Sequence, residues 1–312
     1  MSKNFSFIFP GQGAQYVSMG KDFFDNFQAA KLTFEEANDI LLEDFSKIIF
    51  DGPNDLLQKT INSQLAIFIT STAILRVIEE NFTKLSPKIV AGLSLGEYSA
   101  LFASEKIAFS NALILIKKRA LFMNAACERT KGSMAAVLGM SIDLFENVFR
   151  EISQDKNVFA ANFNTDGQIV ITGIDKEIEE VSKLLKEKGA KRIIPLNVSG
   201  AFHCPLMQEA KEKLAPIILA TPMRETPIEI VMNATGKKAS SIEDIKKLLI
   251  EQVTSPVRWQ QSIKSIIVDK IDYFLEIGPS KTLTSMNRKN APGIPTLSIE
   301  KVQDLSEIEK II

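Results

Sequence analysis

Gly92-Leu93-Ser94-Leu95-Gly96 fits the pattern G-x-S-x-G, in which flanking glycines let a sharp strand-to-helix turn lift a serine hydroxyl above a sheet. A serine hydroxyl is a poor nucleophile at neutral pH and needs a base within hydrogen-bond reach. His203 is the sole histidine, so any imidazole base must be this one. It stands in Ser199-Gly200-Ala201-Phe202-His203-Cys204-Pro205, a loop leading into a helical pattern, and such loops commonly carry catalytic groups. Taken singly, the pentapeptide can be a structural turn and the histidine a satisfied or solvated side chain. Taken together, they point to Ser94 as nucleophile and His203 as general base.

Two further features suit acyl chemistry. Pro10-Gly11-Gln12-Gly13 follows the first strand pattern, and glycines on either side of Gln12 let its amide approach a ligand. With the amide of Leu95 it can form an oxyanion hole, although a simple turn has the same composition. Arg119 sits on an otherwise apolar helical stripe of Ala112, Leu115, Ile116, Phe122, Met123 and Ala126. A guanidinium there keeps its charge and must meet an anion. That anion is either a ligand carboxylate gripped by two hydrogen bonds or one of the chain's 38 acidic side chains.

The elements that must hold these residues follow from the apolar pattern. Phe5-Ser6-Phe7-Ile8-Phe9 alternates and breaks at Pro10-Gly11, as a strand ending in a tight loop does. Helical spacing covers 22–44 and 63–80. A short buried strand at 88–91, the glycine turn and an Ala-rich helix to about 104 make an α/β unit. Residues 110–126 are apolar almost all round, which predicts a helix in the middle of the protein rather than on its skin. Then strand 134–138, helix 142–152, strands 158–163 and 168–172 joined at 164–167, helix 176–188 and strand 192–196 succeed one another. That β-α-β-β-α-β order is the ferredoxin-like arrangement. A helix over 204–219, a strand at 228–232, helices near 242–252 and 259–267, and strands at 273–276 and 295–298 complete the chain. The layout predicts an α/β domain made of 1–128 and 198–312, interrupted by a ferredoxin-like subdomain at 129–197.

Composition bounds what this site can serve. The chain has 312 residues, 45% apolar and 24% charged, enough for one large core or a core with a smaller domain. Its 37 Lys and Arg against 38 Asp and Glu leave a formal charge of −1, without the long-range attraction that nucleic acid or a membrane surface would exploit. Neither partner is expected. Cys127 and Cys204 form no disulfide framework or CxxC pair, and one histidine excludes His-rich metal sites, so no metal is expected and a reducing, cytoplasmic setting fits. The apolar run 5–10 is too short for a signal-peptide core. The apolar stretch 65–75 stops at Arg76, well short of a membrane span, and reads as a buried helix.

With Pro10-Gly11-Gln12-Gly13, Gly92-Leu93-Ser94-Leu95-Gly96-Glu97 and the Phe202-His203 loop in place, the chain resembles malonyl-CoA:acyl carrier protein transacylases nearly end to end. The resemblance extends to Gln64 in Thr60-Ile61-Asn62-Ser63-Gln64, Arg119 with Met123, and Gly132-Ser133-Met134-Ala135-Ala136-Val137. It continues through Ala161-Asn162-Phe163-Asn164 with Gly167-Gln168, Ser255-Pro256-Val257-Arg258-Trp259, and Glu276-Ile277-Gly278-Pro279. What it implies for the fold is an α/β-hydrolase-like core with a ferredoxin-like insertion. For the activity it implies ping-pong transfer: Ser94 attacks the thioester of malonyl-CoA with His203 as base, CoA leaves, and the phosphopantetheine thiol of acyl carrier protein collects the malonyl group. The resemblance further implies that the backbone carbonyl of Gln252 orients His203 and that the amides of Gln12 and Leu95 form the oxyanion hole. Arg119 would hold the free malonyl carboxylate, with Gln64 beside it or the serine, and Met123, Asn162 and Phe202 would contact substrate. Phe202 is similar to the bulky residue of malonyl-selective members and would crowd a methyl branch. No metal or bound cofactor is implied, and a monomer is expected. A free-standing chain favours fatty-acid elongation over polyketide synthesis.

One position departs from the family, Leu93, where histidine is usual; because His203 remains, catalysis is expected to survive. Two other functions compete. A serine thioesterase or other hydrolase would use the same Ser94 and His203 with water as acceptor, and Arg119 argues against it. A non-catalytic carrier-docking module is opposed by the retention of Ser94, His203, Arg119 and Gln12. Since carrier proteins are acidic, a basic rim is expected from Lys188, Lys191 and Arg192, or from Arg288 and Lys289.

Overall fold

The computed structural model describes residues 3–198 and 200–312; Met1, Ser2 and Ser199, the last within the histidine loop, lie outside it. Among the described residues the strands are β1 (Phe5–Phe9), β2 (Pro87–Gly92), β3 (Gly132–Leu138), β4 (Val158–Thr165), β5 (Gln168–Ile174), β6 (Arg192–Pro195), β7 (Glu229–Met232), β8 (Lys237–Lys238), β9 (Tyr273–Ile277) and β10 (Thr296–Ile299). They build a mixed α/β protein with two sheets, ordered β10-β9-β1-β2-β7-β8 and β4-β5-β3-β6.

In the larger sheet β10, β9, β1, β2 and β7 are parallel, and only β8 runs against its neighbour. Parallel neighbours need crossover segments, and helices supply them on both faces. All five residues of the central strand β1 are buried, Ser6 included, so the apparent alternation of Phe5-Ser6-Phe7 does not mark a solvent face. The helix Thr60–Asn81 packs against the helices Gln28–Leu41 and Phe109–Thr130. It is long and apolar enough to cross a membrane, but 83% of its most apolar window is buried inside the protein.

The smaller sheet is antiparallel throughout, with β3 between β5 and β6 and β4 at the edge beside β5. The helices Ile142–Ile152 and Asp175–Glu187 bury Ile142, Phe145, Ile178, Val181 and Leu185 in a core shared with this sheet. Asp166-Gly167 closes the hairpin between β4 and β5, with Gly167 at φ +98°. Register shifts in β4 between Ala160 and Asn162 and between Phe163 and Thr165 bend the strand where it meets the rest of the molecule. There Val257 exchanges main-chain hydrogen bonds with Ala161 and Phe163 at 2.8 and 2.9 Å, which ties the two sheets together along one side of a cleft.

Three expectations change. The helix predicted over 22–44 is broken into Lys21–Asn26 and Gln28–Leu41, because Phe27 is extended and packs its ring 5.9 Å from that of Phe23. The helix Phe109–Thr130 is not enclosed on all sides: its Arg119 face is buried, while Ile114 and Leu121 are 49% and 43% exposed on the other. Apolar residues on a surface face are common and carry no instruction to bury. Four helices, Phe45–Asp51, Asn54–Gln58, Thr282–Asn290 and Leu305–Glu309, arise where no helix was predicted.

Candidate active site

β2 ends at Gly92 and the helix Gly96–Ala103 begins four residues later, so the chain reverses sharply around Ser94, whose φ is +53°. The glycines are required by contact. A Cβ on Gly92 would lie 1.9 Å from the carbonyl carbon of Gly96, and one on Gly96 would lie 2.2 Å from the carbonyl oxygen of Phe9. Asn233, just after β7, latches the turn: its Oδ1 accepts from the Ser94 N–H at 2.6 Å, and its Nδ2 donates to the Gly92 carbonyl at 2.7 Å. The strained serine conformation persists because these bonds over-determine it.

Ser94 Oγ lies 2.8 Å from His203 Nε2, and His203 Nδ1 lies 2.9 Å from the main-chain oxygen of Gln252. A carbonyl only accepts, so the hydrogen sits on Nδ1 and Nε2 is free to take the serine proton. That carbonyl is available because Gln252 is the last residue of the helix Ile242–Gln252, and it lies at the negative end of the helix dipole. Burial and the Arg119 charge push the imidazole down to about 4, against the upward pull of the Gln252 carbonyl. His203 is therefore neutral at pH 7.

Arg119 is 1% exposed. Nη1 donates to Gln64 Oε1 at 2.6 Å, and Nη2 donates to Gln252 Oε1 at 2.9 Å and to Ser94 Oγ at 3.1 Å. The guanidinium carbon lies 5.6 Å from the centre of the Tyr98 ring, and Nε has no hydrogen-bond partner. Every oxygen it touches among the described residues is uncharged. Burial holds its pKa below the usual value, with Tyr98 and Glu97 opposing. A desolvated cation without an ion pair is a receptor for an anion.

A cavity of about 220 Å³ opens over these groups between the two sheets. Gln12, Gln64, Ser94, Arg119, Met123 and His203 line its floor, Asn162 and Phe202 its sides, and Leu93 also reaches it. The loop carrying Gln12 abuts the serine turn so closely that a Cβ on Gly11 would lie 2.3 Å from the Leu93 oxygen. Leu95 is buried below Ser94 at the head of the helix Gly96–Ala103, and Gln252 stands behind His203. Neither the Gln12 nor the Leu95 amide has an acceptor among the described residues. Two amides and a helix N-terminus near one hydroxyl are suited to an oxyanion.

Sequence reasoning passed over Asn233 and gave Glu97 no role. Glu97 is fully buried beneath Ser94, where it accepts from the Asn233 N–H and from Gln252 Nε2. Burial pushes its carboxyl well above the usual carboxylate range, opposed by those donors and by Arg119. Glu97 adjoins the serine motif, but nothing local marks it as buried. Asn233 bonds Ser94 across 139 positions, so no spacing links them. No group of three or more His, Cys, Asp or Glu among the described residues is placed to hold a metal.

Residues 6–299 match the family model described as an acyl transferase domain. The chain is similar to a malonyl CoA-acyl carrier protein transacylase of Bacillus subtilis, with 41% identity covering 96% of this chain and 94% of that one. A transacylase of the same name from Haemophilus influenzae is 34% identical over 99% of both chains. Among solved structures, a malonyl CoA-acyl carrier protein transacylase from Clostridium perfringens superposes with a TM-score of 0.93 at 36% identity, covering 98% of this chain and 96% of that one. A malonyl-transacylase in complex with its type II PKS acyl-carrier protein gives a TM-score of 0.94 at 33% identity, over 97% and 98% of the two chains. The chain belongs to the acyl transferase domain family, as one of its malonyl CoA-acyl carrier protein transacylases.

Proposed function

We propose that this acyltransferase moves the malonyl group of malonyl-CoA to the phosphopantetheine thiol of acyl carrier protein through a malonyl-Ser94 ester, supplying fatty-acid elongation. The observation that carries this reading is Arg119: a buried guanidinium whose hydrogen bonds among the described residues all go to uncharged oxygens, 3.1 Å from the hydroxyl that pairs with His203. A malonyl thioester brings both things the cavity asks for, a carbonyl for Ser94 and a free carboxylate for Arg119.

In the first half-reaction His203 Nε2 takes the Ser94 proton as Oγ bonds to the thioester carbonyl carbon. The carbonyl oxygen becomes an oxyanion facing the Gln12 and Leu95 amides. Collapse breaks the carbon–sulfur bond, and the imidazolium returns the proton to the departing CoA sulfur. In the second half the carrier thiol gives its proton to His203 and attacks the ester, and Ser94 Oγ leaves and is reprotonated. The Gln252 carbonyl keeps the imidazole in the required tautomer throughout. Gln64 and Met123 border the Arg119 pocket, Asn162 borders the approach, and Phe202 crowds a branched acyl group. No step calls for a metal or a bound cofactor.

The parallel sheet with the serine turn after β2 supports an α/β-hydrolase-like core formed by 1–128 and 198–312, and the βαββαβ order with sheet order β4-β5-β3-β6 supports a ferredoxin-like subdomain at 129–197. For the carrier, Lys191, Arg192 and Lys289 line one groove of about 590 Å³ together with Gln168, which also lines the catalytic cavity. That convergence supports docking there by an acidic partner; Lys188 and Arg288 lie outside the groove. The protein is read as a cytoplasmic monomer.

The test is intact-protein mass spectrometry after mixing with malonyl-CoA in the absence of carrier, with peptide mapping. One malonyl group on Ser94 is expected. Free CoA accumulating without an adduct would make the protein a hydrolase, and neither adduct nor CoA would make it non-catalytic.

A further inference from the structure

Glu97 takes no part in the transfer steps, yet its carboxyl group is the point from which the Gln252 side chain is aligned. It lies in the first turn of the helix that follows the nucleophile and is 0% exposed. Oε1 accepts from the main-chain N–H of Asn233, and Oε2 accepts from Gln252 Nε2 at 2.5 Å. The side-chain amide of Gln252 is thereby given a direction. Nε2 donates to Glu97 and to the Ser94 carbonyl oxygen at 2.8 Å, which leaves Oε1 facing Arg119 Nη2 at 2.9 Å. Turned over, the amide would set its oxygen against two acceptors and its hydrogens against a guanidinium. Meanwhile the main-chain oxygen of the same Gln252 holds His203. One residue therefore ties the base by its backbone and the arginine by its side chain, and Glu97 fixes only the second of these.

We propose that Glu97 is a positioning residue for acyl selection: by setting the direction of the Gln252 amide it places the Arg119 guanidinium against the free carboxylate of the acyl group. This rests on the reading of Arg119 as a carboxylate receptor. Glu97→Gln tests it, because the substituted side chain has one acceptor oxygen for two former donors. The Asn233 N–H belongs to the main chain and cannot turn, so it keeps that oxygen. The new NH₂ then faces Gln252, whose amide turns over and presents its hydrogens to Arg119.

The experiment compares Ser94 acylation by malonyl-CoA and acetyl-CoA in the wild type, Glu97→Gln and Gln252→Met. Glu97→Gln is expected to lower the malonyl-to-acetyl ratio of kcat/KM by about tenfold or more, chiefly by raising KM for malonyl-CoA, with acetyl transfer changing by no more than about threefold. A loss of packing alone would depress both substrates together and leave the ratio unchanged, which would overturn the proposal. Gln252→Met keeps the backbone carbonyl and removes the amide, so it should lower the ratio similarly; a full ratio in that variant overturns the proposal even where Glu97→Gln does not fold. In the double variant the second change should add nothing, since both act on one bond path. A wild type that forms no malonyl-Ser94 refutes the function of the site itself, whereas one that forms it with an unchanged ratio in the variants refutes only the role of Glu97.

Discussion

His203 Nδ1 rests 2.9 Å from the main-chain oxygen of Gln252, so this imidazole is oriented by an uncharged helix-terminal carbonyl rather than by a carboxylate. A carboxylate in that place would raise the imidazole's basicity by direct charge. Here the strongest nearby charge is that of Arg119, and it acts in the opposite direction. The pair Arg119 and His203 is therefore coupled through charge: whatever neutralises the guanidinium strengthens the base. A bound malonyl carboxylate would do so at the moment the base is needed, and acetyl would not.

Arg119→Met separates the two consequences. Transfer from malonyl-CoA should fall by about a thousandfold in kcat/KM while acetyl transfer is little changed, since the carboxylate loses its bidentate partner and the thioester does not. The imidazole, at about 4 in the wild type, should titrate at higher pH once the cation is gone. Because His203 is the only histidine, a single imidazole resonance followed by NMR against pH reads this directly. An unchanged titration would show that Arg119 does not set the basicity of the imidazole.

The same group makes stability fall on the acid side. Burial and Arg119 lower the His203 pKa from 6.5 to about 4, so the native state binds fewer protons than the unfolded chain across that interval. Its contribution is complete above pH 6.5 and is lost as pH falls through about 4, roughly 3 kcal/mol in all. Denaturant unfolding at pH 7 and pH 4 in the wild type and in His203→Gln should show a smaller acid loss in the variant. Equal losses in both would refute the assignment.

Asn233→Ala removes the latch of the serine turn. The Ser94 N–H and the Gly92 carbonyl would each lose a partner inside the protein, at a cost of about 1–3 kcal/mol apiece. With φ at +53°, Ser94 should then relax and acylation slow by about a hundredfold. Stability by denaturant and the burst rate with malonyl-CoA report the two effects separately, and a destabilised variant with a normal burst would confine Asn233 to folding.

What the sequence made legible was local. The serine turn announces itself because strand, glycines and helix are adjacent, and Arg119 because its neighbours on one turn are apolar. The smaller sheet was read from the succession of short strand and helix patterns, with 164–167 as the joint between two strands, of which the structure keeps only Asp166-Gly167 as the turn. The unread parts depend on partners far away. Glu97 and Asn233 acquire meaning only when β7 lies beside β2, a pairing of Ile89 to Ala91 with Glu229 to Val231 that no spacing encodes. The helix Thr282–Asn290, with sequence TLTSMNRKN, has too few apolar positions to show a period, and it forms because Leu283 and Met286 find the core. Phe27 breaks its helix for the sake of a ring contact that is invisible to propensity.

Charge reversal in the basic groove tests the carrier surface. Lys191, Arg192 and Lys289 are exposed and converge from segments nearly a hundred residues apart. Lys191→Glu with Lys289→Glu should raise the apparent KM for carrier by about tenfold or more at low salt, and the effect should shrink as salt screens it. Lys188→Glu with Arg288→Glu, both outside the groove and equal in their change of net charge, serves as the control. Equal effects from both changes would assign the loss to net charge rather than to this surface.

Leu93→His restores the residue usual in the family and asks whether this chain lacks anything without it. Leu93 lines the catalytic cavity and its side chain packs against the apolar cluster that includes Val257 and Trp259. The hydrogen bonds that Ser94, His203 and Gln252 make are complete in its absence: the Ser94 hydroxyl has the His203 imidazole, the imidazole has the Gln252 carbonyl, and the main chain of Ser94 is held by Asn233 and Gln252. A histidine there has no unpaired group of this set to serve and sits partly in apolar contact. The acylation burst with malonyl-CoA should therefore stay within about threefold of the parent, with a stability loss of about 1–2 kcal/mol from the displaced leucine contacts. A burst more than about tenfold faster would mean that a second imidazole supplies a function the Ser94–His203–Gln252 chain does not, and that the site as built is incomplete.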